Sequence, residues 1–379
     1  MQRFFNLILL VFFLTACAGA KPTPTPAPVP PTATATTVPT ATLTPLPTDT
    51  PTPDTSPTAT AIRTPPALPP VFKTTVLNPL DTPHTYIANT CQYLQDKWNS
   101  KNSTPGTVVM PIMFHSITEG SVTNNNQTSA NVFHALMQAL LDNGFQAINM
   151  TQMVDFMDHN AKIPARSVLL IADDRHQRQF FDMFFRPYWE QNHWQVVNAW
   201  ISAKDTPQDW WDQNAALETE GWVDHQAHGV VHNIPMGPGT GDAYATSELQ
   251  GSIDAFKKYF NKTPIAIIWP GGLFTHGATL IARQLGYRLG FTSTPRGPSM
   301  FNWVPLTDNA DPARPYWPQD GYVNDPLLVL PRYWDTDAIK HLNAVMQIGD
   351  AATAYAQANK STELEYYDIV CAPKLGLLP

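Results

Sequence analysis

The hydrophobic positions of this chain fall into three regimes. Near the start, Phe4 to Leu14 is an apolar run interrupted only by Asn6. From residue 21 to about 70 the chain is almost entirely Pro, Thr, Ala and Val, with no apolar periodicity. Beyond that point, short continuous apolar runs alternate with stretches in which apolar residues recur every three or four positions, the pattern of buried strands and amphipathic helices. Residues 106–117, GTVVMPIMFHSI, open with Gly and are then dense in Val, Ile, Met and Phe, which predicts a strand buried on both faces with His115 at its carboxyl end. Thr128 or Ser129 caps a predicted helix carrying Val132, Phe133, Leu136, Leu140 and Leu141 on one face, and Gly144 ends it. Phe145 to Asn149 predicts a short strand, Thr151 begins a helix, and Ser167 to Ala172 is the next strand. A further strand is expected over 194–202 (WQVVNAWIS), a helix over Ser247 to Phe260, a strand over 265–270 (IAIIWP), a helix over THGATLIARQLGY and a late strand over 326–334 (PLLVLPRYW).

Alternating β and α implies an α/β domain with a parallel sheet, closed into a barrel or open. Either form gathers chemistry at the carboxyl ends of its strands. The polar residues there are His115, the run Asp173-Asp174-Arg175-His176, the cluster from His225 to His232, Trp269-Pro270-Gly271-Gly272, and Pro331-Arg332.

Composition changes the picture mainly at the ends. Arg3, the apolar run and then Thr15-Ala16-Cys17 have the layout of an export signal and fall short of the about 20 apolar residues a membrane span needs. Leu14-Thr15-Ala16-Cys17 is similar to the lipobox of bacterial lipoproteins, which implies cleavage before Cys17, a lipid on its thiol and attachment to the membrane outside the cytoplasm. A plain secretory signal with a chance cysteine is the alternative. Residues 18–70 read as a disordered, semi-rigid spacer, with roughly 150 Å of reach at about 3.1 Å per residue. Residues 71–379 remain as one catalytic-sized domain. The net charge of -8 without a Lys/Arg cluster gives no footprint for nucleic acid, and no feature identifies a protein partner. With Cys17 lipidated, Cys91 and Cys371 are left either as a disulfide joining the two ends of the domain or as two isolated buried thiols.

DHQAHGVVHN (224–233) places His228 and His232 four apart, a spacing that points two imidazoles at one ion. Gly229 stands where a zincin motif demands glutamate. Two adjacent carboxylates at a strand end repel each other unless a cation lies beside them. An ion held by Asp174, His228 and His232 supplies that cation and leaves Asp173 as a base. Without the histidine pair, Asp173-Asp174 reads as a solvated loop or helix cap.

In this order the motifs resemble the polysaccharide deacetylase family, the NodB-homology domain of carbohydrate esterase family four. The matching residues are Phe114-His115, Ala172-Asp173-Asp174-Arg175, Ala227-His228-Gly229-Val230-Val231-His232, Trp269-Pro270-Gly271-Gly272 and Leu330-Pro331-Arg332, covering roughly 107–335. The resemblance implies a distorted (β/α) barrel and metal-dependent removal of N-acetyl groups from an acetylated polysaccharide. It makes Asp173 the general base, Asp174, His228 and His232 the ligands of a divalent metal, zinc first, and the Gly271 N-H an oxyanion donor. Arg332 belongs to a late Leu-Pro-Arg found in some members. Arg175 replaces the family's glycine and either repels the ion or holds Asp173 ionised. Ala227 and Gly229 replace hydroxyl residues, removing hydrogen bonds that orient imidazoles. No late histidine motif supplies the general acid; His115 is the better candidate by position, against a packed histidine under the site, and His341 and His276 are candidates by type only. His225 and His176 are left as supporting residues near the ion. Trp269 and Trp334 read either as sugar platforms or as core, and MGPGTG (236–241) as a plain loop. The alternative to an enzyme is a carbohydrate-binding or envelope protein on the same fold whose metal site has decayed, with Arg175 as its best support.

Overall fold

The computed structural model describes residues 63–231 and 234–379. Cys17, the expected signal, most of the spacer and His232 lie outside the described residues.

Seven strands carry the architecture: β1 (Val108–Phe114), β2 (Arg166–Asp173), β3 (Val196–Trp200), β4 (Val223–Ala227), β5 (Ala266–Ile268), β6 (Leu289–Phe291) and β7 (Tyr333–Trp334). All pair in parallel in the order β6-β5-β4-β3-β2-β1-β7, and the two-residue strand Gln146–Ala147 also pairs with β2. The far edge is not left open. Leu330 N donates to Gly290 O (2.8 Å) and Leu330 O accepts from Thr292 N (2.9 Å), while three residues later the same segment pairs with β1 as β7. One short stretch thus touches both edges and curls the sheet into the expected distorted barrel. The late strand predicted over 326–334 is reduced to this stretch, because Pro326 and Pro331 have no N-H to give a ladder; Pro326–Leu328 forms a 3-10 turn instead.

Alternation along β1 and β2 sorts their side chains between two cores. Val108, Met110, Ile112 and Phe114 join Val168, Leu170 and Ala172 on the outer face, beneath Phe133, Leu136 and Leu140 of the helix Ala130–Asp142 and Leu342 and Val345 of the helix Asp335–Tyr366. Val109, Leu169 and Ile171 face inward with Val197, Ala199, Ile267 and Leu330.

The helices are α1 (Thr90–Trp98), α2 (Ala130–Asp142), α3 (Met150–His159), α4 (Gln208–Glu220), α5 (Asp242–Tyr259), α6 (His276–Gln284) and α7 (Asp335–Tyr366), with two shorter turns at Arg178–Phe184 and Arg186–Asn192. Ser129 caps α2 by accepting from Val132 N, and Asn149 and Gln152 form a capping box on α3. Helix α5 begins at Asp242, earlier than the expected Ser247, with that acid in its first turn favoured by the helix dipole.

Cys91 and Cys371 are disulfide-bonded across a Cα–Cα distance of 5.3 Å, tying α1 to the C-terminal end of the domain. The expected spacer boundary at residue 70 falls inside the folded body. Leu68 packs with Leu94, Tyr367 and Cys371, and the Tyr355 hydroxyl donates to Pro70 O at 2.5 Å. A Pro/Thr-rich composition does not reveal that its last residues find an apolar surface. Among the described residues no helix is long and apolar enough to cross a membrane.

Candidate active site

Strand register builds the centre of the site. Phe114 pairs with Ala172, so the next residues along, His115 and Asp173, stand side by side at the carboxyl ends of β1 and β2. His115 Nε2 lies 3.8 Å from Asp173 Oδ2. Trp334 pairs with Met113, and its indole stacks on the His115 imidazole with centroids 5.2 Å apart and planes 11° from parallel. Arg332, just before β7, reaches inward: its Nη1 donates to Asp173 Oδ1 at 2.6 Å and its Nε to Thr292 O at 2.6 Å. Both Arg332 and Asp173 are buried. Burial alone would raise the Asp173 carboxyl, but the Arg332 guanidinium, with His228 and His115 beside it, holds it below the ordinary carboxylate range.

The next residue turns sharply. Asp174 adopts φ 75°, a left-handed conformation uncommon outside glycine, which swings its side chain away from Asp173. Its Oδ1 lies 3.8 Å from His228 Nε2. His228 Nδ1 bonds Ile268 O at 2.7 Å, and because a carbonyl oxygen only accepts, the proton sits on Nδ1 and the Nε2 lone pair faces Asp174. Two donors each about 2.1 Å from one ion stand roughly 3–3.5 Å apart, so a carboxylate and an imidazole at this separation fit a shared divalent cation after a small closure. Among the described residues no group of three or more metal-ligating side chains occurs; His232, the third expected ligand, lies outside them.

The loop after His228 is stitched down from both sides. His228 N donates to Trp200 O (3.0 Å), and Gly229 O accepts from Ser202 N (2.9 Å). The Glu248 carboxylate of α5, itself buried, accepts from Val230 N (2.7 Å) and Val231 N (2.8 Å). Gly229 has φ 78°, and a Cβ there would sit 2.9 Å from Glu248 Oε2. This glycine lets the carboxylate close over the loop. Gly271, at φ 61° in the 3-10 turn Pro270–Gly272 after β5, is exposed.

Several expected positions lie elsewhere. The Arg175 guanidinium bonds Asp205 Oδ1 and Thr206 Oγ1, both at 3.0 Å, and it is Arg332 that pairs with Asp173. His225 points to the helix side of β4, between Glu218 Oε2 (2.8 Å) and Asn214 Oδ1 (2.9 Å). His176, in contrast, stays beside the site as expected: it stacks on Phe180 with centroids 3.8 Å apart, burial pushes its imidazole down to about 4, and Asp174 and the Asp173 backbone act against that shift. Trp269 is fully buried and donates Nε1-H to Leu328 O, so it is core and offers no face to a sugar. His341 packs against Tyr333 on the outer face, and His276 is exposed at the start of α6.

Two supporting residues gave no signal in the sequence beyond their polarity within apolar neighbourhoods. Asn214 is fully buried and uses its whole amide, donating to His176 O and Trp210 O and accepting from Asn198 Nδ2 and His225, so it pins the loop carrying Asp174 to β3, β4 and α4. Asp335, at the first turn of α7, is pushed up to about 7 chiefly by burial, with the nearby Asp173 charge acting the same way.

Residues 161–290 match the family described as Polysaccharide deacetylase. A search of curated proteins finds no match. Among solved structures, the chain is similar to the Streptococcus pyogenes deacetylase PplD in complex with acetate, at 20% identity and a TM-score of 0.49, over 64% of this chain and 99% of that one. It is also similar to IcaB from Ammonifex degensii, at 14% identity and a TM-score of 0.47, over 66% of this chain and 98% of that one. A BA3943 mutant, described as a CE4 family pseudoenzyme with restored enzymatic activity, aligns at 11% identity and a TM-score of 0.28, over 48% and 61% of the two chains.

Proposed function

We propose, from the match of residues 161–290 to the family described as Polysaccharide deacetylase, that the chain is a metal-dependent hydrolase removing N-acetyl groups from an amino-sugar polysaccharide of the cell wall or a secreted glycan. The observation that carries the reading is the buried Asp173 carboxylate, held by Arg332 on one oxygen and facing His115 with the other, beside the Asp174–His228 pair.

In this reading each group has one task. Asp173 accepts the proton of the attacking water at Oδ2, the oxygen Arg332 leaves free. His115 then gives a proton from Nε2 to the departing amine as the C-N bond breaks, and the products are acetate and a free amino sugar. Trp334, stacked on the imidazole, holds its plane in place. Asp174, His228 and His232 would hold the divalent ion, zinc by donor set, which supplies polarisation of the acetyl carbonyl and a more acidic water when bound. The Gly271 N-H is assigned to the developing oxyanion.

A carbohydrate-binding protein with a decayed metal site is the competing reading, and Arg175 was its main support. That guanidinium is satisfied by Asp205 and Thr206, which favours the enzyme. The proposal also includes a lipid on Cys17 holding the domain at the outer face of the membrane, near an insoluble substrate; Cys17→Ser should release the protein into the soluble fraction, and persistent membrane recovery argues against the lipid.

The direct test is the metal content of the purified protein beside Asp174→Ala, with acetate release from chito-oligosaccharide assayed in parallel. One ion per chain, lost together with acetate release in the variant, is expected. No bound ion and no acetate after adding zinc, cobalt or nickel would shift the reading to the binding protein.

A further inference from the structure

A second built site lies at the opposite end of the barrel. A pocket of about 280 Å³ opens beside Gly106 and Thr107, immediately before β1. Strand β1 carries the chain from Thr107 to His115 over about 26 Å, at about 3.3 Å per residue. The volume is near the lower end of the roughly 300–1,000 Å³ of small-molecule sites.

Its lining is rich in aromatic rings. Tyr93 and Phe301 stack with centroids 5.9 Å apart. Phe72, also in the lining, packs at a tilt on Trp303 (6.1 Å) and Tyr355 (5.7 Å). Hydrogen bonds fix the lining residues: Trp303 Nε1 donates to Phe72 O, the Tyr355 hydroxyl to Pro70 O, and the Asn302 side chain accepts from Tyr86 N and Ile87 N. The disulfide Cys91–Cys371 holds α1, which carries Tyr93, against the C-terminal end. Such a space is held open by specific bonds and is not a packing fault between loosely joined elements.

The polar lining selects the ligand. Lys97 and Glu363 are both largely buried and paired at 2.8 Å, and Trp98 Nε1 also donates to Glu363, so the one cation and one anion already neutralise each other. A charged ligand would find no counter-charge. Asn160 spends its amide nitrogen on Asp96 O and Ser103 O, which turns its oxygen to other donors, and burial keeps the Tyr93 hydroxyl protonated. Partly exposed aromatic rings together with neutral hydroxyl and amide groups in one lining match an uncharged, hydroxyl-bearing ring.

We propose that this pocket binds a single uncharged sugar ring, giving the protein a second grip on a glycan at the end of the barrel away from its chemistry. The inference rests on the glycan reading for its natural ligand, but not on catalysis. Binding here would raise the effective concentration of an insoluble polymer without contributing to the hydrolysis itself.

The test is saturation-transfer NMR on the full chain with N-acetylglucosamine as the probe. Wild type and Asp174→Ala should bind it alike, Phe301→Ala should bind at least tenfold more weakly, and protonated glucosamine and glucuronate should bind wild type at least tenfold more weakly than the neutral sugar. Tyr93→Phe, which removes one hydroxyl and leaves the stack, should weaken binding about threefold and keeps the test decisive if Phe301→Ala fails to fold. Binding that survives both pocket variants, or is lost only in Asp174→Ala, would place the sugar at the catalytic end and overturn the proposal. A preference for an apolar dye over the sugar, abolished by Phe301→Ala, would overturn the ligand class. Sugar bound in the pocket of a wild-type protein that releases no acetate would uphold this site while removing the deacetylase reading.

Discussion

Arg332 Nη1 stands 2.6 Å from Asp173 Oδ1, an ion pair with both side chains buried and a sequence separation of 159. Arg332 is also bonded through Nε to Thr292 O, so the guanidinium bridges the closing segment to β2 and to the residue after β6. Removing one partner of such a pair leaves an uncompensated buried charge, which costs about 3–5 kcal/mol. Arg332→Met should therefore lower the unfolding free energy by about that amount, measured by denaturant titration. Adding Asp173→Asn to it should recover part of the loss, because the orphaned charge is then gone. Strictly additive losses in the double variant would mean that the two side chains are not coupled.

The parallel strands were legible because fully buried strands write themselves as dense apolar runs, as in Val108–Phe114 and Ser167–Ala172. The polar residues that break those runs marked the site for the same reason: Asp173 and His115 have no place in a buried strand except at its end. What the sequence could not show was how the barrel closes. Leu330 to Trp334 is interrupted by Pro331, and its partners on two different edges are set by tertiary geometry. For Trp269 the sequence left core and sugar platform open, and the structure makes it core; His225, expected near the ion, falls inside β4 and points to Glu218 and Asn214. Arg175 was weighed as a partner of Asp173, but Asp205 and Thr206, 30 and 31 residues away, take its guanidinium. Glu248 and Asn214 went unnoticed since a single polar residue on a helix is ordinarily solvated.

Glu248 offers a test of how the histidine loop is held. Its Oε2 accepts both Val230 N and Val231 N, and no hydroxyl residue is present at 227 or 229 to share the task. Glu248→Ala strands two backbone donors, each costing about 1–3 kcal/mol if they stay buried. Metal affinity should fall about tenfold or more, in the range that loss of supporting bonds produces, while Glu248→Gln, which keeps an acceptor oxygen, should retain most of it. Equal metal affinity in Glu248→Ala and wild type, by competition with a chelating dye, would show that the loop holds itself.

The disulfide between Cys91 and Cys371 closes nearly the whole domain, with a sequence separation of 280. In the chain-entropy account a loop of that length stabilises the fold by about 5 kcal/mol relative to the open chain. Reduction, or Cys91→Ser, should lower the melting temperature by several degrees and loosen α1, seen as faster amide exchange over Thr90–Trp98. An unchanged melting temperature in the reduced protein would mean that the surrounding contacts of Leu68, Leu94 and Tyr367 suffice.

Acid sensitivity should come from Glu218. Its carboxylate bonds His225 Nδ1 at 2.8 Å and Lys262 Nζ at 2.7 Å. Burial alone would raise it, but His225 and Lys262 outweigh burial and hold it at about 2 against an ordinary 4.5. Because the folded value is depressed, the unfolded chain binds more protons between these two values, and stability rises with pH across that window. The contribution is complete above the unfolded value and is lost as pH falls through 4.5 towards 2. A shift of this size corresponds to on the order of 3 kcal/mol, and the side chain is only 21% exposed, so solvent screens little of it. Glu218→Gln should lower stability at pH 6 by up to about 3 kcal/mol and flatten the fall in unfolding free energy below pH 4.5. Lys262→Met, which removes the partner that stays charged throughout the window, should flatten it partly. Parallel stability curves for wild type and Glu218→Gln would show that the acid limb belongs to other carboxylates, Asp173 first among them, since it is the other buried carboxylate held down by a cation.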